Sequence, residues 1–121
     1  MKALIVDDNL LNIKVAEKLL EHLGVKVSSV MSGQECLENV VNNKYDIIFM
    51  DIMMPEMDGV ETYQKLKSIE GFNTPIIALT ADAGIDAKEK YLSLGFDAYI
   101  PTPIDVNLLK ETIERYQNGI S

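Results

Sequence analysis

The chain has 121 residues, 47% of them hydrophobic and 25% charged, which is ordinary for one globular domain that buries roughly two-thirds of its unfolded surface. A net charge of −8 supplies no basic stripe to neutralise phosphates, so this composition argues against direct nucleic-acid binding. No apolar run approaches the roughly 18 residues of a membrane span, Lys2 and its apolar followers are no signal peptide, and the lone Cys36 fits a reducing compartment; a cytoplasmic location is expected.

Taken in order, Lys2-Ala-Leu-Ile-Val6 reads as a strand that stops at the acidic pair Asp7-Asp8. A helix opens at Asn9 and shows Ile13, Ala16, Leu20 and Leu23 on one face, with Gly24 as its C′ residue. Val25 to Val30 alternates apolar and polar side chains as an edge strand does. Ser32-Gly-Gln-Glu35 has capping-box spacing and starts a helix expected to bury Cys36, Leu37, Val40 and Val41. Asp46-Ile-Ile-Phe-Met50 is a short run rich in strand formers, expected to be buried on both faces. Asp51 stands where that run ends, ahead of a loop with Pro55 and the turn signal Asp58-Gly59. Val60 to Ile69 is a short helix carrying Tyr63 and Leu66 and closed by Gly71. Pro75 to Leu79 is a fourth strand that stops at Thr80, Asp86 to Leu94 a helix stopped by Gly95, and Phe96 to Ile100 a fifth strand. Asp105 caps a last helix whose apolar stripe is Val106, Leu109, Ile113 and Tyr116.

Five strand patterns alternating with five helices predict an α/β fold with a parallel sheet between two helical layers, because each parallel connection must cross over. Open sheets of this kind bind ligands outside the carboxyl ends of their strands. Three such ends carry Asp7-Asp8, Asp51 and Thr80. All-oxygen donors suit a hard cation such as Mg²⁺, and the hydroxyl suits a phosphoryl group. Two unit charges about 5 Å apart repel by roughly 3 kcal/mol at an effective dielectric of about 20, so crowded carboxylates are expected to take up a divalent cation.

Taken singly, the same residues have plainer roles. Asp7-Asp8 alone serves equally well as an acidic pair favoured by a helix dipole; only its register with Asp51 and Thr80 makes a site. Asp58 reads as a turn residue, His22 beside Glu21 as a solvated side chain rather than a phosphodonor, and Cys36 as core. Met50, Met53, Met54 and Met57 read as packing, because a thioether cluster would select soft metals.

The pair Asp7-Asp8, Asp51 with the following MMPEMDG, Thr80-Ala81 and Tyr99 together resemble the receiver domain of two-component response regulators. The resemblance runs from Leu4 to about Tyr116 and implies a flavodoxin-like, doubly wound sheet in the order 2-1-3-4-5, with residues 1–121 forming a single receiver domain. It implies that Asp8 and Asp51 coordinate Mg²⁺ directly together with the backbone carbonyl of Met53, and that Asp7 acts through water. It implies further that Asp51, already ionised, attacks a phosphohistidine and becomes an aspartyl phosphate. The Thr80 hydroxyl and the Ala81 amide would meet phosphoryl oxygens, and Tyr99 would move inward behind Thr80. Met53 and Asp82 would flank the site and tune the access of hydrolytic water.

The partners implied are a histidine kinase or histidine phosphotransfer protein as donor, and an output partner that reads the face of the fourth helix, fifth strand and fifth helix. The run Asp7-Asp8-Asn9-Leu-Leu-Asn12 is similar to receivers of hybrid histidine kinases, so the chain reads as an excised C-terminal module rather than an enzyme in its own right. One family position departs: Thr102 stands where a lysine is expected, and threonine cannot carry the positive charge, so phosphoryl accumulation and coupling to the output face should suffer. The resemblance also implies a cis Thr102-Pro103 bond. An alternative is a degenerate receiver that acts as a phosphorylation-independent interaction domain. A metal-dependent phosphohydrolase fits less well, because no second acid/base carboxylate follows Asp51 at close spacing.

Overall fold

A computed structural model describes residues 1–117. The elements in order are β1 (Lys2–Val6), α1 (Leu10–His22), β2 (Lys26–Val30), α2 (Gly33–Val40), β3 (Ile47–Asp51), α3 (Gly59–Lys67), β4 (Ile76–Thr80), α4 (Ala87–Leu94), β5 (Ala98–Pro101) and α5 (Val106–Gln117). All strand pairings are parallel and run in the order β2-β1-β3-β4-β5, as the resemblance implied. Among the described residues no helix is long and apolar enough to cross a membrane.

Alternate residues of a strand point to opposite faces, and this period sorts the core into two layers. Leu4, Val6, Ile48, Met50, Ile76 and Ala78 pack with Cys36 of α2, Leu66 of α3 and Tyr91 of α4. Ala3, Ile5, Ile47, Phe49, Ile77 and Leu79 pack with Ile13 and Leu20 of α1 and with Leu109 and Ile113 of α5. The central strands are therefore apolar along their whole length, as sheets covered on both faces require. Each fully buried Leu or Ile contributes about 1.5 to 3 kcal/mol, so these layers hold the strand ends in place.

The helix starts follow the polar residues ahead of them. Asn9 accepts from the Asn12 amide at 3.0 Å, Ser32 from Glu35 at 3.1 Å, and Asp105 from Asn107 at 2.8 Å. Glu35 reaches back to the amide of Met31 at 2.9 Å, one residue before the expected partner of a capping box.

Several boundaries shift from the expected ones. Val41 is 73% exposed because α2 ends at Val40, and Val106 is 47% exposed because it opens α5 on the solvent side. Helix α3 ends at Lys67 with Ser68 as its cap, so Gly71, at φ +80°, closes the turn after it and not the helix itself. Phe96 is buried, but against the Tyr63 ring at 4.4 Å in the loop before β5, which starts at Ala98 and runs to Pro101. Asp51 and Thr80 belong to their strands as last residues rather than following them.

Candidate functional site

The strand register assembles the site. Val6 is paired with Met50 across β1 and β3, so Asp7 and Asp51, the next residue on each chain segment, leave the sheet side by side. Asp51 is in turn level with Leu79, which places Thr80 one step beyond it, and Thr80 is level with Pro101, the residue before Thr102. Strands β1 and β3 are adjacent although β2 lies between them in sequence, so this is the switch point of the sheet.

One carboxylate oxygen each from Asp7, Asp8 and Asp51 lie within 4.8 Å of one another. Asp7 is buried, Asp51 half-buried and Asp8 exposed, so the cluster opens to solvent on one side. Burial, then the charge of Asp7, push the Asp51 carboxyl up to about 7. Burial also raises Asp7, against the pull of the Asn9 amide, which donates to its Oδ1 at 2.9 Å. The shift at Asp51 disfavours its ionised form in the cluster without a cation. Uncompensated negative charge with oxygen-only donors fits a hard divalent cation, and Asp8, Asp51 and the carbonyl of Met53 could hold it.

The loop after Asp51 is pinned at both ends. The Met53 amide donates to Asp51 Oδ1 at 3.3 Å, and the Gly59 amide donates to the Ile52 carbonyl at 3.0 Å. A Cβ at Gly59 would lie 2.4 Å from the Asp51 carbonyl oxygen, so only glycine lets α3 begin this close to the phosphoacceptor candidate. Asp58 caps α3 by accepting from Glu61 at 2.8 Å and stands outside the acidic cluster, in agreement with its reading as a turn residue.

On the other flank, Thr80 is 1% exposed and its hydroxyl oxygen accepts from the Asp82 amide at 3.1 Å. Ala81 beside it is exposed. Tyr99 is half-buried, donates its hydroxyl to the Asp82 carbonyl at 2.5 Å and stacks on Tyr91 with ring centroids 5.9 Å apart. The Thr102 amide donates to the Thr80 carbonyl at 2.9 Å, and the Thr102-Pro103 bond is cis.

The family model for the response regulator receiver domain matches residues 3–114. The chain is a response regulator receiver domain. It is 39% identical over 126 residues to hybrid signal transduction histidine kinase L of Dictyostelium discoideum, covering 98% of the chain and 7% of that protein. It is 36% identical over 120 residues to the signal transduction histidine-protein kinase BarA of Escherichia coli K12, covering 98% of the chain and 13% of BarA. The chain thus spans a small part of the curated relatives it matches. Its fold also matches the receiver domain of sensor histidine kinase PA1611 from Pseudomonas aeruginosa, with a TM-score of 0.85, 31% identity and 97% of each chain covered. That structure has a magnesium ion coordinated in its active site cleft.

The receiver carries one arrangement that its sequence pattern did not foretell. Asp82, read as a flanking residue, is a junction: Gly84 donates to its Oδ1 at 3.2 Å, Tyr91 to its Oδ2 at 3.3 Å, and the Lys90 ammonium lies 3.9 Å from that same oxygen. Lys90 and Tyr91 sit on α4, and nothing in helical periodicity marks adjacent residues as partners of a loop carboxylate.

Proposed function

We propose that Asp51 accepts a phosphoryl group from a phosphohistidine, so that this receiver acts as a Mg²⁺-dependent switch in a two-component phosphorelay. The observation that carries this reading is the convergence of Asp7, Asp8 and Asp51 at the switch point of the sheet. Asp8, Asp51 and the Met53 carbonyl would ligate Mg²⁺, with Asp7 acting through water. When bound, the ion supplies positive charge that offsets the carboxylates and the incoming phosphoryl oxygens.

The chemistry asked of the chain is small. An Asp51 oxygen forms a bond to phosphorus, the bond from phosphorus to the donor imidazole breaks, and the imidazole nitrogen keeps that electron pair. Because Asp51 sits near a pKa of about 7 in the bare cluster, a bound cation would displace its proton to solvent and leave the carboxylate free to attack. Neighbouring Thr80 and Ala81 then supply a hydroxyl and an amide to the phosphoryl oxygens. Thr80 must first give up the Asp82 amide it now accepts from, and Tyr99 is bonded to the carbonyl of that same residue. Phosphorylation at Asp51 therefore reaches the face of α4, β5 and α5, where an output partner would read it.

The donor is a histidine kinase or a histidine phosphotransfer protein, and the setting is cytoplasmic. Thr102 favours a second reading, a degenerate receiver that binds its partner without phosphorylation, because the lysine charge is missing. Calorimetric titration with beryllofluoride separates the two. Saturable binding that needs Mg²⁺ and disappears in Asp51→Asn supports the switch; binding unchanged in that variant contradicts it.

A further inference from the structure

We propose that Lys90 on α4 is the cation that meets the phosphoryl group in this receiver, held beside the site by Asp82 in place of the lysine absent at position 102. The inference rests on the reading of Asp51 as phosphoacceptor.

Two observations tie Lys90 to residues that flank the site. Its ammonium is 3.9 Å from Asp82 Oδ2, and the amide of Asp82 is bonded to the Thr80 hydroxyl at 3.1 Å. It also lines a surface groove with Ile52, Met53 and Asp58, and Met53 donates its amide to Asp51. The groove thus puts Lys90 and the loop that follows the phosphoacceptor on one surface. The Tyr91 ring lies beneath the same ammonium, 5.2 Å away.

Energetics make the pair exchangeable. The Lys90 and Asp82 side chains are 60% and 40% exposed, and ion pairs in such surroundings are weak. A phosphoryl group brings a larger negative charge than one carboxylate, and the flexible four-carbon stem of lysine allows the ammonium to swing toward it. Asp82 keeps two other hydrogen bonds when the ammonium leaves, from Gly84 and Tyr91, so its exit strands no buried charge. Asp82 thereby competes with the phosphoryl group for one cation. Lys90 contacts the phosphoryl oxygens of the product, and the bonds made and broken at Asp51 are unchanged.

The test is the beryllofluoride affinity, in Mg²⁺, of the unaltered chain, Lys90→Ala, Lys90→Arg, Asp82→Asn, Thr102→Lys and the double variant Lys90→Ala with Thr102→Lys. Loss of the ammonium should weaken binding roughly threefold to tenfold, arginine should restore most of it, and Asp82→Asn should tighten it. In the Thr102→Lys background the Lys90→Ala effect should shrink to less than about twofold, because the restored lysine supplies the charge. Equal affinity of Lys90→Ala and the unaltered chain overturns the proposal. A Lys90→Ala loss of the same size in both backgrounds also overturns it, since that would mark a structural role in α4. Failure of the unaltered chain to bind beryllofluoride would instead remove the phosphoacceptor reading itself, and this inference with it.

Discussion

Asp7 and Asp51 leave the sheet side by side, each being the residue after a directly paired couple, Val6 and Met50. Neither carboxylate can withdraw without fraying a strand whose preceding residue is fully buried. The folded chain therefore holds Asp51 at about 7, against 3.8 for an unperturbed aspartate. A raised carboxyl contributes stability that is present below about pH 4 and lost as pH rises through about 7, because the unfolded chain ionises first. Without Mg²⁺, Asp51→Asn should be more stable than the unaltered chain by about 1 to 2 kcal/mol near pH 8, after discounting for solvent screening. The gap should close toward pH 4. Denaturant melts of both proteins across that range check it.

The same proton competes with the cation. Apparent Mg²⁺ affinity should fall as pH drops below about 7, by up to about tenfold per unit where one proton is displaced. Titrations near pH 6 and pH 8 measure this directly. A flat profile would show that Asp51 is ionised throughout.

Asp58 tests whether capping and ligation are separable. Its side chain satisfies the Glu61 amide at the start of α3 and lies outside the acidic cluster. Asp58→Ala should therefore cost about 1 kcal/mol of stability and leave Mg²⁺ affinity unchanged. A melt and a metal titration on one preparation decide it.

Gly59 lets the chain pass close to its own backbone. A methyl there would meet the Asp51 carbonyl oxygen at 2.4 Å and the Ile52 Cα at 2.7 Å, and neither atom belongs to a flexible side chain. Gly59→Ala should destabilise by about 2 to 3 kcal/mol and weaken beryllofluoride binding, because the strain falls on Asp51. Thermal melts with and without Mg²⁺ and beryllofluoride would show both effects.

Much of this is legible in the residues. Runs such as Ile47-Ile-Phe-Met50 can only be satisfied by burial on both faces, so the parallel sheet and its acidic strand ends follow from hydrophobicity and punctuation. Capping residues Asn9, Ser32 and Asp105 mark helix starts because each offers an oxygen to an orphan amide, whereas Asp58, read as a turn residue, proved to be the cap of α3. What escaped depends on geometry across elements. Val41 and Val106 look like core from periodicity alone, yet each lies at or just beyond a helix end, where the chain turns toward solvent. The ionisation of Asp51 depends on how closely two strand ends approach. Asp82 gathers Lys90, Tyr91 and Tyr99 from α4 and β5, and local spacing carries no trace of those contacts.

Every role proposed for this receiver depends on Asp51 taking a phosphoryl group. Incubation with acetyl phosphate, borohydride reduction of any acyl phosphate and peptide mapping by mass spectrometry test it at the residue itself. Homoserine is expected at position 51, formed only when Mg²⁺ is present and absent in Asp51→Asn. An unmodified Asp51 under those conditions, or label on another residue, would contradict it.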